Sequence, residues 1–111
     1  MARSERKVLK ATPLTVSTNQ IESLDITNFS GCAITVISPA GAVGTFKLQY
    51  CNTNSSNLTD WTDIPSASLP IVASGGSTLD ISNTHAGFVK AVVTLSAGAG
   101  NYDIYYLAKD F

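Results

Sequence analysis

Charge is scarce in this sequence. Asp, Glu, Lys and Arg make up 14% of its 111 residues, where an average soluble domain has about 25%. Ser, Thr, Asn and Gly take their place, a covering that suits β-proteins meeting other protein surfaces and that hints at assembly. Histidine and tryptophan occur once each and cysteine twice. Two thiols make no disulfide framework, and with a single His they are too few for the four ligands of a structural zinc site. We therefore expect no metal, no cofactor, and free thiols at Cys32 and Cys51. No apolar run reaches the roughly 18 residues of a membrane span. No hydrophobic segment of signal-peptide length follows the basic N-terminus, so we expect synthesis in a cytoplasm and no membrane partner. The Asn-Xaa-Ser/Thr triplets at 28–30, 54–56 and 57–59 then follow from composition alone.

Helical periodicity is missing as well. Residues 3–10 could form a short helical turn, but no apolar stripe anchors it. Elsewhere apolar residues alternate with polar ones and are punctuated by Gly, Pro, Asn and Ser, the strand-and-turn pattern. Strands are expected near 13–17, 21–27, 32–38, 44–51, 61–64, 69–73, 77–82, 88–96 and 101–108. Many short strands at such spacing indicate an all-β protein, an antiparallel β-sandwich of Ig-like or jelly-roll-like type. The length allows one domain, which we place at 13–111, preceded by a flexible basic N-terminal arm at 1–12.

That arm holds most of the positive charge. Arg3, Arg6, Lys7 and Lys10 against Glu5 give the first ten residues a net +3, while the remaining 101 residues sum to −4. A basic arm on an acidic body can reach an acidic neighbour, a nucleic acid or a membrane, or it can simply be a solvated terminus. Basic residues interleaved with aromatics are absent elsewhere, so a single-stranded nucleic-acid groove is not expected.

The chain also repeats itself. "SLDITN" (23–28) returns as "TLDISN" (78–83) at an offset of 55, and then the offset becomes 56: Gly31 falls on Gly87, Ile37 on Val93, Gly44 on Gly100, Phe46 on Tyr102, Leu48 on Ile104 and Tyr50 on Tyr106. We read an internal pseudo-repeat of three-stranded units that stack face to face to bury their apolar sides. Alternation puts Phe46, Leu48 and Tyr50 inward with Lys47 and Gln49 outward. It likewise puts Val89, Ala91, Val93 and Leu95 inward with Lys90 and Thr94 outward, and makes Leu24, Ile26, Leu79 and Ile81 inward. Transferring the faces of the second copy to the first turns Cys32 and Cys51 both outward, opposite each other if 32–38 and 44–51 form a hairpin. The last strand does not alternate cleanly: Tyr102, Ile104 and Tyr106 share one face while Tyr105 and Leu107 occupy the other. Tyrosines at an exposed rim are typical of protein interfaces, so Tyr102, Tyr105, Tyr106 and Leu107 are the expected contact surface.

Catalytic constellations are not found. His85 sits in a turn without a nucleophile or an orienting carboxylate. Asp60 and Asp63 are three apart, which on a strand sends them to opposite faces. With Trp61 and the polar 52–59 stretch they could form a sugar platform, but Trp61 is read first as packed into the sandwich core at the start of strand 61–64, with the platform as the alternative. Ser74-Gly75-Gly76-Ser77 lacks the phosphate-loop pattern, and the Asn/Asp cluster at 52–63 lacks calcium-loop spacing.

Taken together, the strand Gly44–Tyr50, "WTDIP" (61–65), "SGGSTLDISN" (74–83) and "GFVKAVVTLSAGAGNYDIYYLAK" (87–109) resemble small virion proteins of tailed bacteriophages, over residues 22–109. Lys90 and Cys51 depart from that pattern, which more commonly has Arg and Ser there. The resemblance implies a β-sandwich on a virion surface: a capsid decoration or cement protein, a head-fibre base, or a tail accessory module. We expect a non-enzymatic structural protein located in the virion. It would be oligomeric and attached to the major capsid protein or another virion protein through the arm Arg3–Lys10 and the tyrosine strand. The alternative is a carbohydrate- or receptor-binding module centred on Asp60, Trp61 and Asp63.

Overall fold

The computed structural model describes residues 4–27, 29–82 and 87–109. Among them are nine strands: β1 (Ser4–Leu14), β2 (Thr18–Gln20), β3 (Leu24–Asp25), β4 (Gly31–Ile37), β5 (Val43–Cys51), β6 (Thr62–Pro70), β7 (Gly76–Ser82), β8 (Phe88–Ala97) and β9 (Gly100–Lys109). A single 3₁₀ turn, Leu58–Asp60, is capped by the Asn57 side chain, which accepts the Thr59 N–H. The strands form two antiparallel sheets. Sheet A has the order β1-β9-β4-β7; sheet B has the order β2-β8-β5-β6, with β3 also paired to β8. Counting β2 and β3 as one interrupted strand gives two four-stranded sheets wound as a jelly roll, one of the two sandwich types expected.

The core between the sheets comes from alternating inward residues. Tyr102, Tyr106, Phe46, Ile26, Ile34, Leu48, Ile104, Val36, Val89 and Val93 are all fully buried there. Each such side chain is worth about 1.5–3 kcal/mol relative to exposure. Val89, Ala91, Val93 and Leu95 point inward as expected. Tyr50 keeps the inward parity but lies at the end of β5 and is 37% exposed.

The repeat is built differently from the face-to-face stack expected of it. The first copy places β3, β4 and β5 in sheets B, A and B; the second places β7, β8 and β9 in A, B and A. The copies are therefore intercalated, β4 lying between β7 and β9, and β8 between β3 and β5. Ile34 is flanked by Leu79 and Tyr106, and Val89 is flanked by Leu24 and Tyr50. The ladders thus relate the central strands by 55 positions, not 56. Because side chains alternate, that one residue reverses every face of β4. Cys32, Ile34 and Val36 are buried in the core, whereas Ile37 is 40% exposed. The outward placement expected for Cys32 is corrected accordingly. The two cysteines are not opposite each other, since β4 and β5 belong to different sheets; both are free thiols.

The Gly-rich connections, β4–β5 and β8–β9, cross from one sheet to the other and pack together. At Gly98 φ is +86°, and a Cβ there would lie 2.4 Å from the Ala42 Cα. Only glycine satisfies both the left-handed backbone and the contact. The segments expected as strands at 61–64 and 69–73 merge into β6. Gln49 pairs Asp63 and Lys47 pairs Ser68, so residues 64–67 bulge opposite Leu48. Pro65, which has no N–H to give, falls in that bulge, and Ser66 takes a φ of +62°.

The N-terminal segment is corrected too. Residues 4–14 are not a free arm but strand β1, paired with β9 from Ser4–Lys109 to Leu14–Gly100, with a register shift between Leu9 and Thr12. Val8 and Leu9 supply the strand propensity. The flanking cations suit an edge strand, where charge discourages unwanted pairing.

Candidate functional site: the outer face of sheet A

β9 is apolar on both faces, and the structure separates their roles. Tyr102, Ile104, Tyr106 and Ala108 are buried in the core. This removes Tyr102 and Tyr106 from the expected contact surface. Their hydroxyls are used internally: Tyr102 donates to the Gly98 carbonyl at 2.6 Å, and Tyr106 accepts the Ala91 N–H at 2.8 Å. Burial raises the pKa of both phenols.

Tyr105 and Leu107 lie on the opposite, outer face. The ladders set them in two rows across the sheet. One row runs Arg6, Leu107, Ala33, Asp80; the next runs Val8, Tyr105, Thr35, Thr78. Val8 is 47% exposed, and the hydroxyls of Thr35 and Thr78 meet at 2.7 Å. These side chains line a shallow groove of about 420 Å³, with an apolar floor of Val8, Leu107, Ala33 and the Tyr105 ring. Charges rim it. Lys109 pairs with Asp80 at 3.0 Å. Lys10 pairs with Asp103 at 3.6 Å, hydrogen-bonds the Tyr105 hydroxyl and lies 4.8 Å from that ring's centroid. The Tyr105 bond, then Asp103, raises the Lys10 pKa.

The four cations expected to bind a partner are therefore not equivalent. Arg3 lies outside the described residues. Lys7 faces inward at the sheet edge, where it pairs with Glu22 at 2.8 Å and donates to the Ser23 carbonyl at 2.7 Å. It joins the two sheets. Lys10 braces Tyr105. Arg6 stays exposed beside Leu107. The sequence pattern does not point to Val8, Ala33, Thr35, Thr78, Asp80 or Lys109 as members of this face. The alternation Arg6-Lys7-Val8-Leu9 is the one local signal; the other neighbours come from ladder pairing across long stretches of chain.

The 52–63 region differs from both expectations for it. Trp61 is buried, but outside the main core: it lies on the outer side of sheet B beneath the 52–60 loop. Its Nε1 donates to the Ser55 carbonyl at 3.0 Å, and the Lys90 ammonium sits 4.6 Å from the ring centroid. Lys90, expected in solvent, is only 5% exposed. Burial pushes its pKa down, and neighbouring Cys51 opposes that shift. Asp60 accepts from Ser55 at 2.6 Å. Asp63 accepts from Gln49 at 2.8 Å and from Lys47, which together hold its pKa low. Trp61 is 7% exposed, so no open indole face lies between the two carboxylates for the sugar platform held as the alternative reading. His85 lies outside the described residues. Among the described residues no group of three or more His, Cys, Asp or Glu could hold a metal ion, and no helix is long and apolar enough to cross a membrane.

By sequence the chain matches no family model and no curated protein. By structure it is similar to several solved proteins. The SPBc2 prophage-derived protein YomS superposes with a TM-score of 0.61 at 11% identity, covering 96% of this chain and 95% of that one. The PBSX exported protein XepA gives 0.63 at 11% identity over 92% of this chain, but only 36% of its own length. The K1 cleaved adhesin domain of Lys-gingipain from Porphyromonas gingivalis W83 gives 0.55 at 11% identity, covering 98% and 97%. At such identities the likeness establishes a shared β-sandwich fold, one that occurs in a prophage-derived protein, an exported protein and an adhesin domain.

Proposed function

We propose that this chain is a non-enzymatic structural protein of a bacteriophage particle. It attaches through the outer face of sheet A to the major capsid protein or another virion protein, as a decoration or cement protein that stabilises the shell. The observation that carries this reading is the solvent-facing outer side of β9. Tyr105 and Leu107 lie beside exposed Val8 and Arg6 on a groove with an apolar floor and a charged rim. An apolar centre ringed by polar groups is the anatomy of a protein–protein contact, with Tyr and Arg the residue types that most often anchor one. The prophage-derived fold neighbour YomS supports the phage setting.

The test is re-addition of purified protein to particles that lack it. Val8→Asp with Leu107→Asp is expected to lower particle occupancy by about tenfold or more, while the melting temperature of the free domain changes little because both side chains lie outside the core. Undiminished occupancy would overturn the proposal.

A further inference from the structure

We propose that one end of the sandwich, built from four charge-free turns, is a contact between copies of this chain. This inference is independent of the docking face on sheet A. Segments 11–21, 33–46, 64–79 and 91–102 contain no Asp, Glu, Lys or Arg; all fifteen charged residues lie elsewhere. The fold brings the turns of these four segments to one end. The Ser38 N–H donates to the Gly75 carbonyl at 2.8 Å, Ser74 to Pro39 at 3.1 Å and Leu95 to Ser17 at 3.0 Å, and the 38–42 turn packs on Gly98.

From this end project Val16 (54% exposed), Val43 (55%), Val72 (47%) and Ile37 (40%), four of the seven large hydrophobic residues exposed among those described. Val72 and Ile37 flank Gly75 and Gly76, whose Cβ positions would meet them at 3.3 and 3.4 Å, so a flat glycine seam separates the two aliphatic tips. At the opposite end the strand termini carry Asp25, Asp63, Lys90 and Lys109, and the 52–60 loop is Asn- and Ser-rich.

The electrostatics select the occupant. A charged partner surface laid on this end would lose its hydration and gain no counter-charge. The fitting partner is itself neutral and apolar, and the same end of a second copy is such a surface. In a symmetric contact the same patch meets itself, residue i against j and j against i, so an uncharged, apolar end is complementary to its own copy without any counter-charge. Four half-exposed aliphatics amount to a few hundred Å², well under the roughly 800 Å² per partner of a standard interface. Association is therefore weak in dilute solution and strong where copies are held side by side.

Sedimentation equilibrium of the full chain, from micromolar to millimolar concentration and at low and high salt, tests this. The expected result is a concentration-dependent oligomer that high salt leaves intact. Val43→Asp with Val72→Asp should weaken it by about tenfold or more with an unchanged melting temperature, and Arg6→Glu on the other face should not. A chain that stays monomeric at millimolar concentration overturns the proposal. So does an oligomer that survives the double variant or dissolves in salt.

Discussion

The Tyr106 hydroxyl, rising from sheet A, accepts the backbone N–H of Ala91 in sheet B at 2.8 Å. This bond crosses the core and meets β8 where its edge partner is interrupted, between β2 and β3. The neighbouring Ala91 carbonyl is taken by Ile21 N–H. A phenol thus replaces the ladder bond that residues 21–23 do not supply. Tyr106→Phe keeps the ring and leaves a buried N–H unpaired, which costs about 1–3 kcal/mol. Urea denaturation of the two proteins measures it directly.

Lys7 is opposite Tyr106 in the β1–β9 ladder and reaches the same interruption, at Glu22 and Ser23. Lys7→Ala is therefore expected to lower stability by about 0.5–1.5 kcal/mol, most of it from the carbonyl bond, since Glu22 is well solvated. Arg6→Ala, one residue away on the exposed face, should stay within about 0.5 kcal/mol of wild type. Thermal unfolding of the pair distinguishes a strand that belongs to the sandwich from a loose arm, for which neither change would register.

Trp61 should emit at short wavelength and resist a soluble quencher, because its ring is covered by Lys90 and its N–H is held by Ser55. Lys90→Ala removes the cation from the ring face at a cost of about 0.5–2 kcal/mol and is expected to shift emission to the red. Titration with glycans should leave the spectrum of the parent protein unchanged.

Burial pushes the Cys32 thiol up to about 12, from 9.0. The folded protein keeps this proton where the unfolded chain loses it, so the unfolded state binds fewer protons and stability falls as pH rises past 9. Below pH 8 the group contributes no pH dependence. Denaturation midpoints measured between pH 7 and pH 10 should fall more steeply for the parent than for Cys32→Ala, and Cys32 should react with thiol reagents only on unfolding.

The hydrophobic alternation of β5, β8 and β9 locates those strands within a residue or so, because their inward faces are buried along most of their length. The cation-rich β1 carries no such signal: on an edge strand charge and strand formation coexist, and its apolar content is mainly Val8 and Leu9. The faces of β4 come out reversed when transferred from the second copy, because the extra residue of the 56 offset belongs after β4, between it and β5, and one residue reverses the alternation. For Trp61, alternation offers only the core or solvent. Its actual position, on the covered outer side of a sheet, depends on a loop folding back over Lys90.

Local alternation, turn residues and composition are enough to make this chain an all-β sandwich that repeats and is short of charge. Strand pairing alone makes the copies interleave, lets Lys7 and Tyr106 close one gap from the far sheet, and gathers four uncharged turns at a shared end. Those arrangements join residues up to about a hundred positions apart, and no local pattern encodes which edge a strand will find.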